Sequence, residues 1–341
     1  MNIQLQRTVD RFVGVPVCAL FSLIERFRGR KPAGLPPRRI LVILLSEMGS
    51  LVLGRSMFDE LARRYPGAAV HVLLFARNRE VLDLLGVVPA ENVLTLDDRS
   101  MAGFAAGAVR VLLAMRRLKF DVVIDCELFA RVSSIFSYLS GAPVRVGFHP
   151  HTQEGLYRGS FINRPVVYNP YRHLSRQFLT LVRAIESESS PVAKAVSSPA
   201  PAETPLLEFA AGEIDRCAAE LHGDFPAVRD KRLVLVYPSG GLLEIRAWPL
   251  DHYRQVCAGL VADGFAVGVI GMAADKQIGK DLTAHCKSPL CIDLTGYTRS
   301  VRHLLALFHR ASLLITNDGG PGQFAALTPV PSIIFFGPET P

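Results

Sequence analysis

Leu314–Ile315–Thr316–Asn317–Asp318–Gly319–Gly320–Pro321–Gly322–Gln323–Phe324–Ala325–Ala326, close to the end of a 341-residue chain, is the stretch that decides the fold. An apolar run from Ala311 to Ile315 stops at a polar, glycine-rich turn, and a helix of small residues follows. In α/β proteins such a strand end delivers backbone N–H groups and a side chain to a ligand. The two glycines let the backbone approach that ligand closely, and the N-terminus of the new helix favours an anionic group. Taken alone, the same residues also read as a helix capped by an aspartate, with no ligand at all.

Two further strand ends carry related chemistry. Leu233–Tyr237 runs into Pro238–Ser239–Gly240–Gly241, followed by Arg246–Ala247–Trp248–Pro249. The small residues free backbone N–H groups there, and the forked donors of Arg246 suit a phosphate. Trp248 is expected to pack the start of the next helix. Ala266–Ile270 and Gly271 lead to Asp275, where a carboxylate can accept ribose hydroxyls. Three strand ends of one sheet with phosphate- or sugar-type residues are hard to attribute to isolated turns.

The alternation of elements fills in the rest. Strands are predicted over Ile40–Leu45, Val70–Leu74, Val93–Leu96 and Asp121–Ile124, with helices over Leu51–Tyr65, Val81–Leu85 and Phe104–Leu118. In the second half Cys291–Leu294 and Ser332–Phe336 complete the strands, with helices over Asp251–Asp263, Lys276–His285 and Val301–Ala311. Continuous apolar strands alternating with helices imply parallel, doubly wound sheets. Residues 187–205, mostly Ser, Pro and Ala, read as a linker. The expected organisation is an N-terminal segment (1–38), a Rossmann-like domain (39–186), the linker, and a second Rossmann-like domain (206–341). Such α/β domains facing each other across a cleft would hold a ligand between them.

Composition narrows the partners. Apolar residues make up 49% and charged residues 20%, as in a well-buried globular protein, and the net charge of +7 suits an anionic partner. No basic–aromatic ladder is present, so nucleic acid is not expected. The six cysteines (18, 126, 217, 257, 286 and 291) include no C-x-x-C pair and read as free thiols in a reducing cytosol. Neither a dinucleotide fingerprint, a Walker A loop, H-E-x-x-H nor a D-x-D motif occurs, so no cofactor and no metal are expected. Phe12 to Ile24 carries no charge and is flanked by Arg7, Arg11, Arg26, Arg28, Arg30 and Lys31. It is too short to span a bilayer and lacks the features of a signal peptide. It reads as an in-plane anchor on anionic lipid or as a helix docked on its own protein; the basic flanks favour the first.

The chain resembles the family-9 glycosyltransferases, the heptosyltransferase family of lipopolysaccharide core assembly. The resemblance runs from about Arg39 to the end. It rests on ILVILLSEMGSLVLGRSMFDEL, FDVVIDCELFARVSSIFSYLSGAPVRVGF, YPSGGLLEIRAWPLDHY, GVIGMAADK, LTGYTRSVRHLLALFHRASLLITNDGGPGQFAAL and IIFFGPETP. It implies a GT-B architecture, with the acceptor on the N-terminal domain and the nucleotide-sugar donor on the C-terminal domain. It further implies metal-independent inverting transfer, commonly from ADP-heptose to a lipid-linked core oligosaccharide, in the cytoplasm at the inner-membrane surface. Asp318, Gly319 and Gly320 would then hold the donor's sugar and diphosphate. Ser239, Gly240 and Arg246 would hold its phosphates, and Asp275 would lie near the nucleoside. Arg131 would face an anionic acceptor, although an ion pair explains it nearly as well.

Three departures stand out. Where the family has its favoured general base, an aspartate ending the first turn, this chain has Ser50, and a lone hydroxyl cannot deprotonate an alcohol at neutral pH. Glu47 is the one nearby carboxylate expected to replace it. The family's motif histidine is Gln323, which leaves an amide donor toward the diphosphate. Family members usually continue beyond the position of Pro341, so either the sequence is truncated or the cleft is built differently. Two other readings fit these departures: a catalytically degenerate member that binds a nucleotide sugar or glycan as a scaffold, and a GT-B transferase with a non-heptose donor.

Overall fold

Runs of branched aliphatic residues with no polar interruption form parallel strands buried on both faces. The computed structural model describes residues 8–28, 34, 36–45, 47–148, 157–187, 205–241 and 244–337. The chain divides into two units, Met1–Ala202 and Glu203–Pro341. Most of the expected linker, residues 188–204, lies outside the described residues, as do 338–341.

In the first unit β1 (Arg39–Ile43), β2 (Ala69–Phe75), β3 (Val93–Leu96), β4 (Val122–Asp125), β5 (Val144–Phe148) and β6 (Arg164–Val166) form one sheet in the order β3-β2-β1-β4-β5-β6. Every neighbouring pair is parallel. Its helices are α1 (Val15–Arg28), α2 (Met48–Leu53), α3 (Arg55–Arg64), α4 (Arg79–Leu85), α5 (Met101–Leu118), α6 (Arg131–Leu139) and α7 (Leu174–Ala184). Leu41, Ile43, Leu73 and Val123 meet Val111 and Met115 of α5 and Phe136 of α6 in a core on one face of the sheet. The single helix expected over Leu51–Tyr65 is two. Gly54 interrupts it, its N–H turning to the carbonyls of Ser50 and Val52. Two strands and two helices beyond those expected, β5, β6, α6 and α7, extend the sheet and cover it.

The second unit repeats the plan with β7 (Leu233–Tyr237), β8 (Ala266–Gly271), β9 (Cys291–Thr295), β10 (Leu313–Asn317) and β11 (Ser332–Phe335), ordered β11-β10-β7-β8-β9 and all parallel. Around it lie α8 (Glu213–Asp224), α9 (Leu250–Ala262), α10 (Lys276–Cys286), α11 (Val301–Arg310) and α12 (Gly320–Ala325). Val234, Val236, Val267 and Val269 pack against Tyr253 and Cys257 of α9 and Leu282 of α10. In both sheets the chain starts in an inner strand, builds outward on one side, then crosses to the other. The reversal opens a crevice at the strands' carboxyl ends, between β1 and β4 and between β7 and β10.

The N-terminal helix is docked on its own unit. A π-helical turn, Asp10–Gly14, leads into α1, which lies on α6. Cys18 and Phe21 pack against Tyr138 and Phe161, with the Phe21 and Tyr138 rings stacked 4.6 Å apart. A Cβ on Gly14 would come within 2.9 Å of the Arg131 Cβ, so only glycine permits this approach. Ser22 Oγ is bonded by Tyr157 Oη at 2.6 Å and by the Ser160 N–H at 2.9 Å, and Glu25 pairs with Arg145. Among the described residues, no helix is long and apolar enough to cross a membrane.

Candidate functional site

The crevice of the second unit is built around Asn317, the last residue of β10. Its side chain is wholly buried, and all its hydrogen-bonding capacity is directed to neighbouring loops. Oδ1 accepts from the Trp248 N–H at 3.0 Å and from the Tyr253 hydroxyl at 2.8 Å. Nδ2 donates to the carbonyls of Pro238 at 2.9 Å and Ser239 at 3.2 Å. One neutral amide thus ties the end of β10 to the turn after β7 and to the entrance of α9. Trp248 packs there as expected, its ring centroid 4.5 Å from that of Phe335 and 4.8 Å from that of His252.

With the loops fixed, the charged groups lie at the crevice itself. Asp318 follows Asn317, its N–H bonded to the Phe335 carbonyl at 2.8 Å. Arg246 Nε stands 3.9 Å from Asp318 Oδ2, and Gln323 Nε2 donates to Asp318 Oδ1 at 3.4 Å. The guanidinium and the carboxylate are both partly exposed, at 18% and 15%. Such a pair gives a diphosphate a cation and sugar hydroxyls an acceptor within one small region. A Cβ on Gly319 would meet nothing within 4 Å, so its backbone borders open space. Gly320 begins α12, which is six residues long. Arg246 adds a full positive charge beside the start of this short helix.

On the neighbouring turn, Ser239 is buried, its Oγ accepting from the Gly241 N–H at 3.2 Å and bonded to the Tyr237 hydroxyl, whose ionisation burial pushes up. Gly240 lies between them, and Gly241 adopts a φ of +61°, a left-handed conformation suited to glycine. Asp275 stands at the end of β8, one strand further from the crevice. Its Oδ2 accepts from the Met272 N–H at 2.8 Å and so closes its own turn.

The first unit's crevice contains Glu47 and Ser50. Ser50, at the start of α2, is buried and donates from Oγ to Glu47 Oε2 at 3.2 Å; Glu47 is exposed. A second carboxylate, which the sequence did not single out, joins them. Glu127, just beyond β4, accepts from the Leu45 N–H at 2.6 Å. Glu47 is therefore not the sole carboxylate near the first turn. The β4 loop is fixed by Arg158, fully buried, which pairs with Asp125 and donates to Ser133 Oγ at 2.9 Å and to the carbonyls of Phe148 and Ala130 at 3.2 Å. Asn78, also buried, donates to the Leu45 carbonyl at 2.6 Å and holds the end of the first strand.

Arg131 requires a correction. It is 6% exposed, with Nη1 2.9 Å from Asp10 Oδ2 and Nε donating to the Tyr157 carbonyl at 2.9 Å. Asp10 Oδ1 also accepts from the N–H groups of Arg131 and Val132, capping α6 from a distance in sequence. The guanidinium is engaged in docking the N-terminal segment rather than presented to an acceptor.

The profile of glycosyltransferase family 9 (heptosyltransferase) matches residues 109–341. Lipopolysaccharide heptosyltransferase 2 of Salmonella typhimurium is 22% identical over 313 residues, covering 89% of this chain and 84% of the relative. Lipooligosaccharide heptosyltransferase 2 of Haemophilus ducreyi is also 22% identical, over 315 residues and the same shares of both chains. Among solved structures, E. coli ADP-heptose lps heptosyltransferase II superposes with a TM-score of 0.68 at 21% identity, over 89% of this chain and 86% of that one. E. coli heptosyltransferase WaaC with ADP-2-deoxy-2-fluoro heptose gives 0.61 at 17% identity, over 89% and 90%. The fold is thus the GT-B type expected, and the chain belongs to glycosyltransferase family 9, a glycosyltransferase of the heptosyltransferase type.

Proposed function

We propose that the protein transfers a sugar, with inversion and without a metal, from a nucleotide-sugar donor of the ADP-heptose kind to a lipid-linked glycan of the lipopolysaccharide-core type. The observation that carries this reading is the Arg246–Asp318 pair beside the Asn317-braced turns. In an inverting transfer the acceptor oxygen attacks the anomeric carbon as the nucleoside diphosphate leaves, and a base removes the acceptor's proton. Arg246 would bind the departing diphosphate, the role a metal ion fills where carboxylates hold one. Asp318 would accept from sugar hydroxyls, with Gln323 orienting it. Ser239 and Gly240 would line the phosphate side, and Asp275 the outer, nucleoside side.

Glu47 would be the base. It is exposed, whereas Glu127 is half-buried, and Ser50 orients Glu47 through its hydroxyl. The names of the relatives support a lipopolysaccharide-type acceptor. A lipid-linked acceptor would bring the enzyme to the cytoplasmic face of the inner membrane.

The test is transfer from a panel of ADP- and UDP-sugars to core oligosaccharide acceptors, with and without EDTA. Glu47→Gln is expected to lower kcat by about 10²–10⁴ with donor affinity retained, the range for loss of a general base. EDTA is expected to leave the rate unchanged. Full activity in Glu47→Gln together with loss in Glu127→Gln would move the base to Glu127. Tight donor binding without turnover on any acceptor would overturn the transferase reading.

A further inference from the structure

Helix α1 carries more apolar surface than its docking on the first unit covers. The face turned to the protein carries one large apolar residue, Phe21, among Gly14, Cys18, Ser22 and Glu25 at helical intervals, and it docks through the Phe21–Tyr138 stack, hydrogen bonds and an ion pair. The opposite face runs Phe12, Leu20, Leu23 and Phe27, at 70, 54, 53 and 81% exposure. Four large apolar side chains on one exposed stripe cost free energy in water that docking does not recover.

The charges on the same segment are sorted as well. Its acidic groups point inward, Asp10 to Arg131 and Glu25 to Arg145. Arg11, Arg26 and Arg28 are exposed and bracket the apolar stripe at its two ends, with Arg28 also reaching the Tyr138 hydroxyl at 3.5 Å. The outward surface is therefore apolar along its length and cationic at its rims. A second helix repeats the combination on the same side of the sheet. Helix α5, which shares a core with α6, leaves Val109 and Leu113 exposed beside Arg110 and Arg117.

We infer that the outer face of α1 lies in the interface of an anionic phospholipid bilayer, with its apolar stripe among the acyl chains and its arginines among the headgroup phosphates. The inward ion pairs then have a purpose: they hold the helix rigidly to the first unit, so that lipid binding positions the whole unit at the surface. This gives the membrane location proposed above a physical site, and rests on that reading only for its purpose, because lipid binding can be read without turnover. An in-plane helix held by both apolar insertion and basic rims satisfies the two-signal requirement for stable peripheral binding.

The experiment is density-gradient flotation of the full chain with vesicles of phosphatidylethanolamine and phosphatidylglycerol, and with vesicles of phosphatidylcholine alone. The wild type is expected to float with the anionic vesicles and only weakly with the neutral ones. The combined variant Leu20→Ser, Leu23→Ser, Phe27→Ser is expected to lose partitioning at least about tenfold, with its thermal transition unchanged. Arg26→Ala with Arg28→Ala is expected to lose about fivefold per arginine, and the wild type's advantage on anionic vesicles should shrink in high salt. Should the combined variant melt early, Phe27→Ser alone, at the most exposed position, is scored instead. A wild type that stays at the bottom of the gradient, or serine variants that float like it, would overturn the inference. So would light scattering that shows a wild-type dimer, broken by the serine variants, with no vesicle binding.

Discussion

The two crevices are made by the same sheet logic but held together by different chemistry. In the second unit the brace is neutral: Asn317 is buried with two hydrogen bonds accepted and two donated, and the nearby charges, Arg246 and Asp318, stay partly exposed. In the first unit a neutral amide, Asn78, holds the end of β1, but the β4 loop and the docked N-terminal helix are held by ion pairs. Arg158 with Asp125, Arg131 with Asp10 and Arg145 with Glu25 direct their charges inward. The neutral brace spends no charge of its own, whereas the ion pairs of the first unit bury theirs. Arg246, Asp318 and Gln323 stand together at the second crevice, whereas Asp275 closes its own turn one strand away and Arg131 is spent on docking α1.

Breaking the ionic brace should have the largest effect on stability. Arg158→Met leaves Asp125 buried without its cation and should cost about 3–5 kcal/mol, measured by chemical unfolding. The pH dependence of that cost follows from burial, which is the largest influence on Asp125 and pushes its carboxyl up, while Arg158 pulls it down. In the variant the folded-state value therefore lies above the unfolded one of about 3.9. The protonated form is favoured on folding, so stability is greatest at low pH and is lost as pH rises through the folded value. The deficit against wild type should shrink between pH 8 and pH 5. A deficit that is constant or grows in acid would show that Asp125 is not the uncompensated charge.

The neutral brace should break at lower cost and with a more local result. Asn317→Ala removes partners from the Trp248 N–H, the Tyr253 hydroxyl and two carbonyls, for a loss of about 2–4 kcal/mol. It should weaken donor binding and leave the first unit's unfolding unchanged. Asn317→Asp keeps both acceptor functions but places a carboxylate against two carbonyls, and should be no better than alanine. Equal donor affinity in all three proteins would remove Asn317 from the account. Ser50→Ala should have the smallest effect. Loss of one hydroxyl donor to Glu47 should reduce kcat by about 2–10-fold with KM for the donor unchanged. A loss as large as that of Glu47→Gln would give Ser50 a larger role than orientation.

Much of this was legible because parallel strands announce themselves. ILVILL and LVLVY are apolar at every position, and the glycines and prolines after them mark where the strands release the chain. Arg164–Val166 was not legible, because a three-residue edge strand carries too little pattern. Asn317 was visible as part of a motif but not as a brace, since its partners lie 64 to 79 residues away. Glu127 meets Leu45 only because β4 lies beside β1, a fact of strand order. Arg158 resembles any surface arginine until its buried carboxylate is known. For the N-terminal helix a signal was present: Gly14, Cys18 and Ser22 fall on one face of an otherwise apolar stretch. Small and polar residues at helical spacing there marked the docking side, where Phe21 also packs, and left Phe12, Leu20, Leu23 and Phe27 facing outward.

The most direct measurement is calorimetric titration of ADP and UDP into the wild type and Arg246→Ala. The wild type is expected to bind one of the two nucleoside diphosphates, and Arg246→Ala to lose about 1.5–3 kcal/mol, a factor on the order of 10–100, with its thermal transition retained. Equal affinity in both proteins, or no binding of either nucleotide by the wild type, would contradict this.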